Sequence, residues 1–194
     1  AQNARVRLTV FRNADGLYTP DSNKAGYAIE ISPLDSPYYS LNNKGLIMDI
    51  YDDILKPVNR LSNLKTCNAL PYVMAGLYKK QQKLDELFIL NQHGFLCEGI
   101  SSNVFLVYQG LLYTPALSEA CDAGVMRNVD MDIAKENNIP LIEAQINPEI
   151  LNQAEEVFMT NATSGIQWVM GFNRKRYFNE VSRLMIDKLN NYAG

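Results

Sequence analysis

Residues 95–108, with the sequence FLCEGISSNVFLVY, decide the fold, because two apolar runs flank a short segment of glycine, serine and asparagine. Short apolar runs bounded by turn residues are typical of strands. Similar runs lie on both sides, at 87–90 and 111–113, with tight turns marked by Gly94 and Gly110. The pattern predicts an antiparallel meander in this part of the chain.

Glu98 is the unusual residue of that stretch, because it is a carboxylate that directly follows three apolar residues. Burying a carboxylate without a partner is costly, so a Glu98 that points inward requires a cation or hydrogen-bond donors. Taken alone, Glu98 could equally be a strand residue that faces solvent.

The hydrophobic period changes upstream, where residues 71–80 (PYVMAGLYKK) have helical spacing. We expect the apolar stripe of this helix to belong to the core; its members are Leu70, Val73, Met74, Leu77 and Tyr78. Lys65 lies in the segment LKTCN, just before the helix. A connecting segment braced by a packed helix suits a residue that must be held and still reach a ligand. The alternative is a solvated surface lysine.

Further elements are predicted from alternation, helical period and turn residues. Strands are expected at 5–12, after Gly16 towards Pro20, and at 27–31, 45–50, 140–143, 157–160 and 165–169. Helices are expected at 124–137, 148–154 and 179–192.

Two segments are candidates for binding a phosphate group. The segment GVMR at 124–127 opens a helix, and TNATSG at 160–165 forms a turn with three hydroxyl residues. Backbone N–H groups at helix starts and turns bind phosphate, and hydroxyls assist. Either segment could instead be an ordinary helix entry or edge turn. An amine at Lys65, a carboxylate at Glu98 and two phosphate segments, in that order, are what a pyridoxal phosphate site requires.

Composition limits the classes of partner. The 194 residues carry a net charge of -3, which gives no electrostatic case for nucleic acid. No apolar run approaches the roughly 20 residues of a membrane span. The three cysteines lack metal-ligand spacing, which predicts no metal site and reduced thiols in a cytoplasmic compartment.

From about residue 64 onward, the chain resembles the class IV pyridoxal phosphate enzymes, which include D-amino acid and branched-chain aminotransferases and aminodeoxychorismate lyase. The matching segments are LKTCN at 64–68, DE at 85–86, EGISSNVF at 98–105, YTP at 113–115, GVMR at 124–127, AEEVF at 154–158 and TNA at 160–162. The resemblance implies an α/β (α+β) fold. In that fold, a barrel-like mixed sheet with flanking helices forms a cofactor-binding domain over 56–194. Residues 1–55 would be a remnant of a smaller N-terminal α/β domain and an interdomain segment.

The resemblance also implies roles for individual residues. Lys65 would be the catalytic lysine that carries the cofactor, and Glu98 would pair with its ring nitrogen. The remaining cofactor-binding residues would be Val125 and Met126 through their backbone N–H groups, and Asn161, Ala162 and Thr163 as a second loop.

In the family, the strand at 5–12 borders the substrate pocket, so Arg7 resembles a bidentate clamp for a substrate carboxylate. A solvent-facing strand arginine is the alternative. The resemblance further implies an N-terminal domain ahead of this strand, which supplies an arginine to the phosphate, and we expect most of it to be missing from the 194 residues.

The function implied is amino-group transfer between an amino acid and a 2-oxo acid by a cytoplasmic homodimer. One alternative is aminodeoxychorismate lyase, which releases pyruvate and gives 4-aminobenzoate. NALP at 68–71, where branched-chain enzymes have Asn-Tyr, favours the D-amino acid or lyase branches, and the pair Asn161-Ala162 is lyase-like. An alternative from another class is an inactive, truncated scaffold fragment.

Overall fold

The computed structural model describes residues 3–193, and the contacts of the chain divide it into two units between Tyr38 and Tyr39. The first unit contains strands β1 (Ala4–Arg12) and β2 (Ala25–Pro33). The strands and helices of the second unit are β3 (Leu46–Lys56), α1 (Leu70–Gln82), β4 (Glu86–Asn91), β5 (Leu96–Gly99), β6 (Asn103–Tyr108), β7 (Leu111–Pro115), α2 (Val125–Glu136), β8 (Leu141–Ala144), β9 (Glu156–Asn161), β10 (Gly165–Phe172), β11 (Lys175–Arg176) and α3 (Glu180–Ala193). Short 3₁₀ helices at Leu117–Glu119 and Pro148–Asn152 complete the connections.

The first unit is a two-stranded antiparallel ribbon in which Leu8 lies opposite Ile29 and Arg7 opposite Glu30. Its strands agree with the predicted ones at 5–12 and 27–31. The strand expected after Gly16 is wrong, because residues 13–24 form a loop instead. Gly16 has a φ of +102°, a left-handed conformation that favours glycine and interrupts an extended strand.

The nine strands within residues 39–193 form one mixed sheet in the order β5-β4-β3-β10-β9-β6-β7-β8, with β11 on β10. Parallel pairs join β3 to β4, β3 to β10 and β7 to β8. Leu96 N, on β5, donates to the carbonyl oxygen of Ile146, just after β8, so the two ends of the sheet approach each other. This curled, half-barrel sheet with three flanking helices confirms the predicted fold class.

The expected antiparallel meander is only partly correct. The hairpin pairs β4–β5 and β6–β7 form as predicted. However, β5 and β6 are not neighbours in the sheet, because β6 lies between β7 and β9, and β9 comes about 50 residues later in the chain. Hairpin turns are encoded locally, whereas the partner of β6 is set by packing between distant segments.

Alternate residues of the strands pack into different apolar clusters. Val104 and Leu106 of β6 join Phe88, Met159 and others in one cluster. The rings of Phe105 and Phe158 stack with centroids 5.3 Å apart and pack against residues of α2 and α3. The helix α1 covers a third cluster on β3 and β4. The sheet is therefore buried on both faces, which explains the nearly continuous apolar runs.

The expectation that the stripe of α1 belongs to the core is wrong for four of its five members, whereas Tyr78 packs against a core cluster. Leu70 is 70% exposed and Leu77 58% exposed, and Val73 and Met74 are exposed as well. The side of α1 that faces the sheet carries Ala75, which is 0% exposed, with half-buried Tyr72 and Tyr78. Periodicity shows which residues share a face, but α1 is apolar on two sides, and the small side chain of Ala75 lets the helix approach the sheet closely.

The predicted division at residue 55 concerns the domains of the family and stays a prediction; by its own contacts, the chain divides after residue 38. None of the helices in residues 3–193 combines the length and the apolar character that a membrane crossing requires.

Candidate active site

A bulge in β5 positions Glu98. Ile89 of β4 lies opposite Glu98, and Leu90 lies opposite Leu96, which leaves Cys97 as an extra residue without a partner. A shift of one residue turns the following side chains to the other face of a sheet. Glu98 therefore lies on the side of α1, although it is only two residues from the core residue Leu96.

Glu98 is almost completely buried, and both of its oxygens accept hydrogen bonds. Its Oε1 accepts from the ammonium group of Lys56 at 2.7 Å and from the hydroxyl of Tyr72. Its Oε2 accepts from the backbone N–H of Asp122 at 2.8 Å. Burial and the charge of Glu98 raise the pKa of Tyr72, which keeps the phenol protonated as a donor. These partners offset the cost of burying the carboxylate.

Lys56, like Tyr72 and Asp122, is a residue of this site that sequence reasoning missed. It ends β3 after a large bulge, since Tyr51 pairs with Ile89 and Lys56 with Asn91, so residues 52–55 face a single residue of β4. Its Nζ also lies 3.2 Å from Asp122 Oδ1. Burial is the largest single effect and lowers the pKa of Lys56, but the combined effects of Glu98, Cys97 and Tyr72 outweigh burial, so the pKa is raised and the side chain stays charged. A lysine at a strand end carries no sequence signal for this position.

The segment that carries Lys65 is fixed next to Asp122. The side-chain amide of Asn63 donates to the carbonyl oxygens of Leu117 and Cys121, at 2.8 and 2.7 Å. Lys65 Nζ lies 3.2 Å from Asp122 Oδ2, and its side chain is 79% exposed. Asp122 therefore contacts Lys65 through its carboxylate and Glu98 through its backbone. The structure brings the predicted amine and the predicted carboxylate to one charged cluster, made of Lys56, Lys65, Glu98 and Asp122.

The first predicted phosphate segment opens α2. Gly124 is the N-cap, no side chain caps the helix, and the N–H groups of Val125 and Met126 belong to the first turn, where intrahelical partners are lacking. A Cβ atom at position 124 would lie 2.7 Å from Oδ1 of Asn103. Asn103 in turn donates to the carbonyl oxygen and hydroxyl of Thr160, at 3.1 and 3.2 Å.

The second predicted segment is a tight turn after β9. Oδ1 of Asn161 accepts from the backbone N–H groups of Thr163 and Ser164, at 3.0 and 2.8 Å. Its Nδ2 donates to the hydroxyl of Ser102 at 3.0 Å. The carbonyl oxygen of Ala162 accepts from the hydroxyl of Tyr39. Ser102 and Asn103 follow the strand of Glu98, so one short segment connects both phosphate candidates with the charged cluster.

Two arginines have other contacts. Arg127 is buried in α2, and its Nη2 donates to the carbonyl oxygen of Pro115 at 2.8 Å and pairs with Glu143, so it braces α2 against β7 and β8. Arg7 belongs to the first unit, where its Nε lies 3.5 Å from Oε2 of Glu30 and both side chains are exposed. The role of Arg7 as a substrate clamp stays a prediction.

Comparison with known proteins agrees with this architecture. Residues 1–170 match the family described as amino-transferase class IV. The chain is therefore a member of the class IV aminotransferase family, as the sequence predicted.

Individual relatives extend the comparison. A putative branched-chain-amino-acid aminotransferase of Methanocaldococcus jannaschii is 32% identical over 114 residues, which cover 59% of this chain and 38% of that protein. The structure of a putative 4-amino-4-deoxychorismate lyase from Legionella pneumophila superimposes with a TM-score of 0.82 and 19% identity, over 98% of this chain and 69% of that chain. An aminotransferase from Brucella abortus, bound to the co-factor PLP, gives a TM-score of 0.81 and 18% identity, over 98% and 68%. The chain thus spans less than half the length of the curated relative, and the two solved structures share its fold.

Proposed function

We propose that this chain binds pyridoxal phosphate and transfers an amino group between an amino acid and a 2-oxo acid. The observation that carries the proposal is that Lys65 and the buried Glu98 both contact Asp122. The predicted cofactor is the one bound in the aminotransferase from Brucella abortus, and the branched-chain aminotransferase among the relatives supports amino-group transfer.

The residues of the site fit this cofactor. Its phosphate is an anion, and the first-turn N–H groups of Val125 and Met126 offer backbone donors. The turn at Asn161, Ala162 and Thr163 offers the hydroxyl of Thr163, whose backbone N–H already donates to Asn161. Glu98 is a buried carboxylate, which suits a partner of a protonated ring nitrogen, and Tyr72 and the backbone N–H of Asp122 hold it in place. Gly124 leaves room for Asn103, which joins the two phosphate segments.

When bound, pyridoxal phosphate supplies an electron-withdrawing ring that makes the proton on the α-carbon of an amino acid removable. The amine of Lys65 removes that proton as a general base and returns it as a general acid. Glu98 stabilises a proton on the ring nitrogen, and Tyr72 and the backbone of Asp122 fix the orientation of Glu98. Exposure of Lys65 leaves its amine accessible to a ligand from solvent.

The lyase alternative uses the same Lys65 and Glu98, but it eliminates pyruvate from the substrate and needs no amino acceptor. It remains a candidate, and the sequence Asn161-Ala162 is the observation in its favour. The homodimer, the cytoplasmic location, the substrate clamp by Arg7 and the domain boundary at residue 55 stay predictions.

The test is to add pyridoxal phosphate to the purified protein, reduce the adduct with borohydride and map the modified peptide by mass spectrometry. We expect a visible absorption band and modification of Lys65. In Lys65→Ala both should be lost, and the conversion of amino acid to 2-oxo acid should fall by about 10²-fold or more. Glu98→Gln should retain the modification and lose most of the conversion. Lys44→Ala, at an exposed lysine, is the matched control.

The outcomes separate the alternatives. Formation of a 2-oxo acid from an amino acid supports transfer, whereas pyruvate release from aminodeoxychorismate without an amino acceptor supports the lyase. Absence of the absorption band and of any modified lysine would support an inactive scaffold fragment. Full activity in Lys65→Ala or Glu98→Gln would contradict the assignment of the site.

A further inference from the structure

In the charged cluster, Glu98 already has a cation as its partner, at the position proposed for the protonated ring nitrogen of the cofactor. Lys56, not Lys65, makes the direct ion pair with Glu98, at 2.7 Å, and its side chain is only 12% exposed. Without a ligand, the cluster contains two lysines and two carboxylates, so its formal charges balance. A ring nitrogen that binds at Glu98 as a cation would leave two cations at one buried carboxylate.

Asp122 provides a second position for the displaced charge. Its carboxylate is shared, with Oδ1 at 3.2 Å from Lys56 and Oδ2 at 3.2 Å from Lys65. When Lys65 leaves Asp122 to reach the cofactor, this carboxylate loses one of its two cations. Lys56 is already in contact with Asp122, so a small side-chain movement can transfer it from Glu98.

We propose that Lys56 is the resident counter-ion of Glu98 in the cofactor-free protein, and that it shifts to Asp122 when a protonated pyridine ring takes its place. The inference rests on the proposed function and extends it: Lys56 is a positioning residue that competes with the cofactor for Glu98. Its role in the free protein is to prevent a buried carboxylate from being left without a cation, which is strongly destabilising.

The geometry of Glu98 supports exchange of one partner while the others remain. A carboxylate offers about four lone-pair positions. Tyr72, on α1, and the backbone N–H of Asp122, in the segment before α2, occupy two of them. The third is taken by Lys56 through a long, unbranched side chain that also reaches Asp122. Removal of Lys56 therefore leaves Glu98 oriented and open to a ring nitrogen.

The test measures binding without any turnover. The probe is 4′-deoxypyridoxine 5′-phosphate, which has the ring nitrogen and the phosphate but no aldehyde to react with Lys65. Benzyl phosphate, which has no ring nitrogen, is the control ligand. Affinities are measured by titration calorimetry for the native protein, Lys56→Met, Lys56→Arg and the surface control Lys44→Met.

We expect Lys56→Met to bind the pyridine probe about tenfold more tightly than the native protein, because no ion pair must be broken. Its affinity for benzyl phosphate should be unchanged, and Lys56→Arg and Lys44→Met should bind both ligands like the native protein. The ligand-free Lys56→Met protein should also unfold at a lower temperature and gain more thermal stability from the pyridine probe. If Lys56→Met does not fold, Lys56→Gln, which keeps an N–H donor without charge, carries the same expectations.

A pyridine probe that binds Lys56→Met no more tightly than the native protein, or more weakly, would overturn the inference. In that case Lys56 is a permanent structural partner of Glu98, and the proposed function stands because the native protein still binds the probe. A native protein that binds neither the probe nor pyridoxal phosphate would overturn the proposed function together with the inference.

Discussion

Asp130 of α2 should make the stability of this protein fall as the pH rises. Its side chain is completely buried, and neither carboxylate oxygen accepts a hydrogen bond of ordinary geometry from residues 3–193. Burial raises the pKa of Asp130 from 3.8 to about 7, and the nearby hydroxyl of Thr160 only partly opposes this effect. An uncompensated buried carboxylate prefers its neutral form.

The sign and size of the effect follow from the two pKa values. The pKa of Asp130 is higher in the folded protein than in the unfolded chain. Its contribution to the free energy of unfolding is therefore fully present below about pH 4 and is lost progressively as the pH rises to about 7. A shift of about three units corresponds to a loss of about 4 kcal/mol, at roughly 1.4 kcal/mol per unit. Asn at position 130 cannot ionise and so does not lose stability in this range.

Urea unfolding of the native protein and Asp130→Asn at pH 5 and pH 8 tests this directly. We expect the free energy of unfolding of Asp130→Asn, relative to that of the native protein, to be about 3 kcal/mol higher at pH 8 than at pH 5. Any destabilisation by the buried amide is the same at both pH values and cancels in this difference. The matched control is Asp132→Asn, which removes the same charge from an exposed position of the same helix. An equal effect of Asp130→Asn at both pH values would refute the reasoning.

Two further predictions concern α1 and the start of α2. Leu77→Ala should change the free energy of unfolding by less than about 0.5 kcal/mol, because Leu77 is exposed. Ala75→Leu should lower it by about 1–3 kcal/mol, because a larger side chain overpacks the buried position. A larger loss for Leu77→Ala than for Ala75→Leu in urea unfolding would contradict this prediction. Gly124→Ala should weaken the binding of pyridoxal phosphate and leave the binding of pyridoxal unchanged, because the added Cβ displaces the Asn103 side chain that joins the two phosphate segments. Calorimetry that gives equal affinities of the native protein and the variant for pyridoxal phosphate would refute this prediction.

The sequence was a good guide wherever structure is encoded locally. The apolar runs around residues 95–108 form strands, and the helix expected at 124–137 is observed as Val125–Glu136. Asn147 caps the following 3₁₀ turn through its side chain, and this turn, Pro148–Asn152, stands where a helix was expected at 148–154. The partners of β6 and the buried side of α1 depend on distant segments, and no local pattern could supply them.

The charged cluster shows the same limit in more detail. Lys65 and Glu98 are recognisable because each lies in a distinctive segment. Lys56 and Asp122 lie in ordinary sequence, and they matter only because three segments of the chain meet at this point. No periodic pattern predicts such a meeting, since it depends on the register of strands that are far apart in the chain.

Two irregularities of that register account for the site. If Cys97 were paired regularly instead of bulged, Glu98 would share a face with Leu96 and point into the apolar cluster around Phe88. Without the four bulged residues 52–55, Lys56 would not reach the level of Asn91, next to the strand of Glu98. With only one of the two bulges, either Glu98 or Lys56 would lack its partner, and leaving a buried charge unpaired is destabilising. Together, the two bulges place the ammonium group of Lys56 2.7 Å from the carboxylate of Glu98. The two bulges therefore stabilise one another through the ion pair of Lys56 and Glu98. A ligand that replaces Lys56 at Glu98 breaks the contact that joins the two bulges.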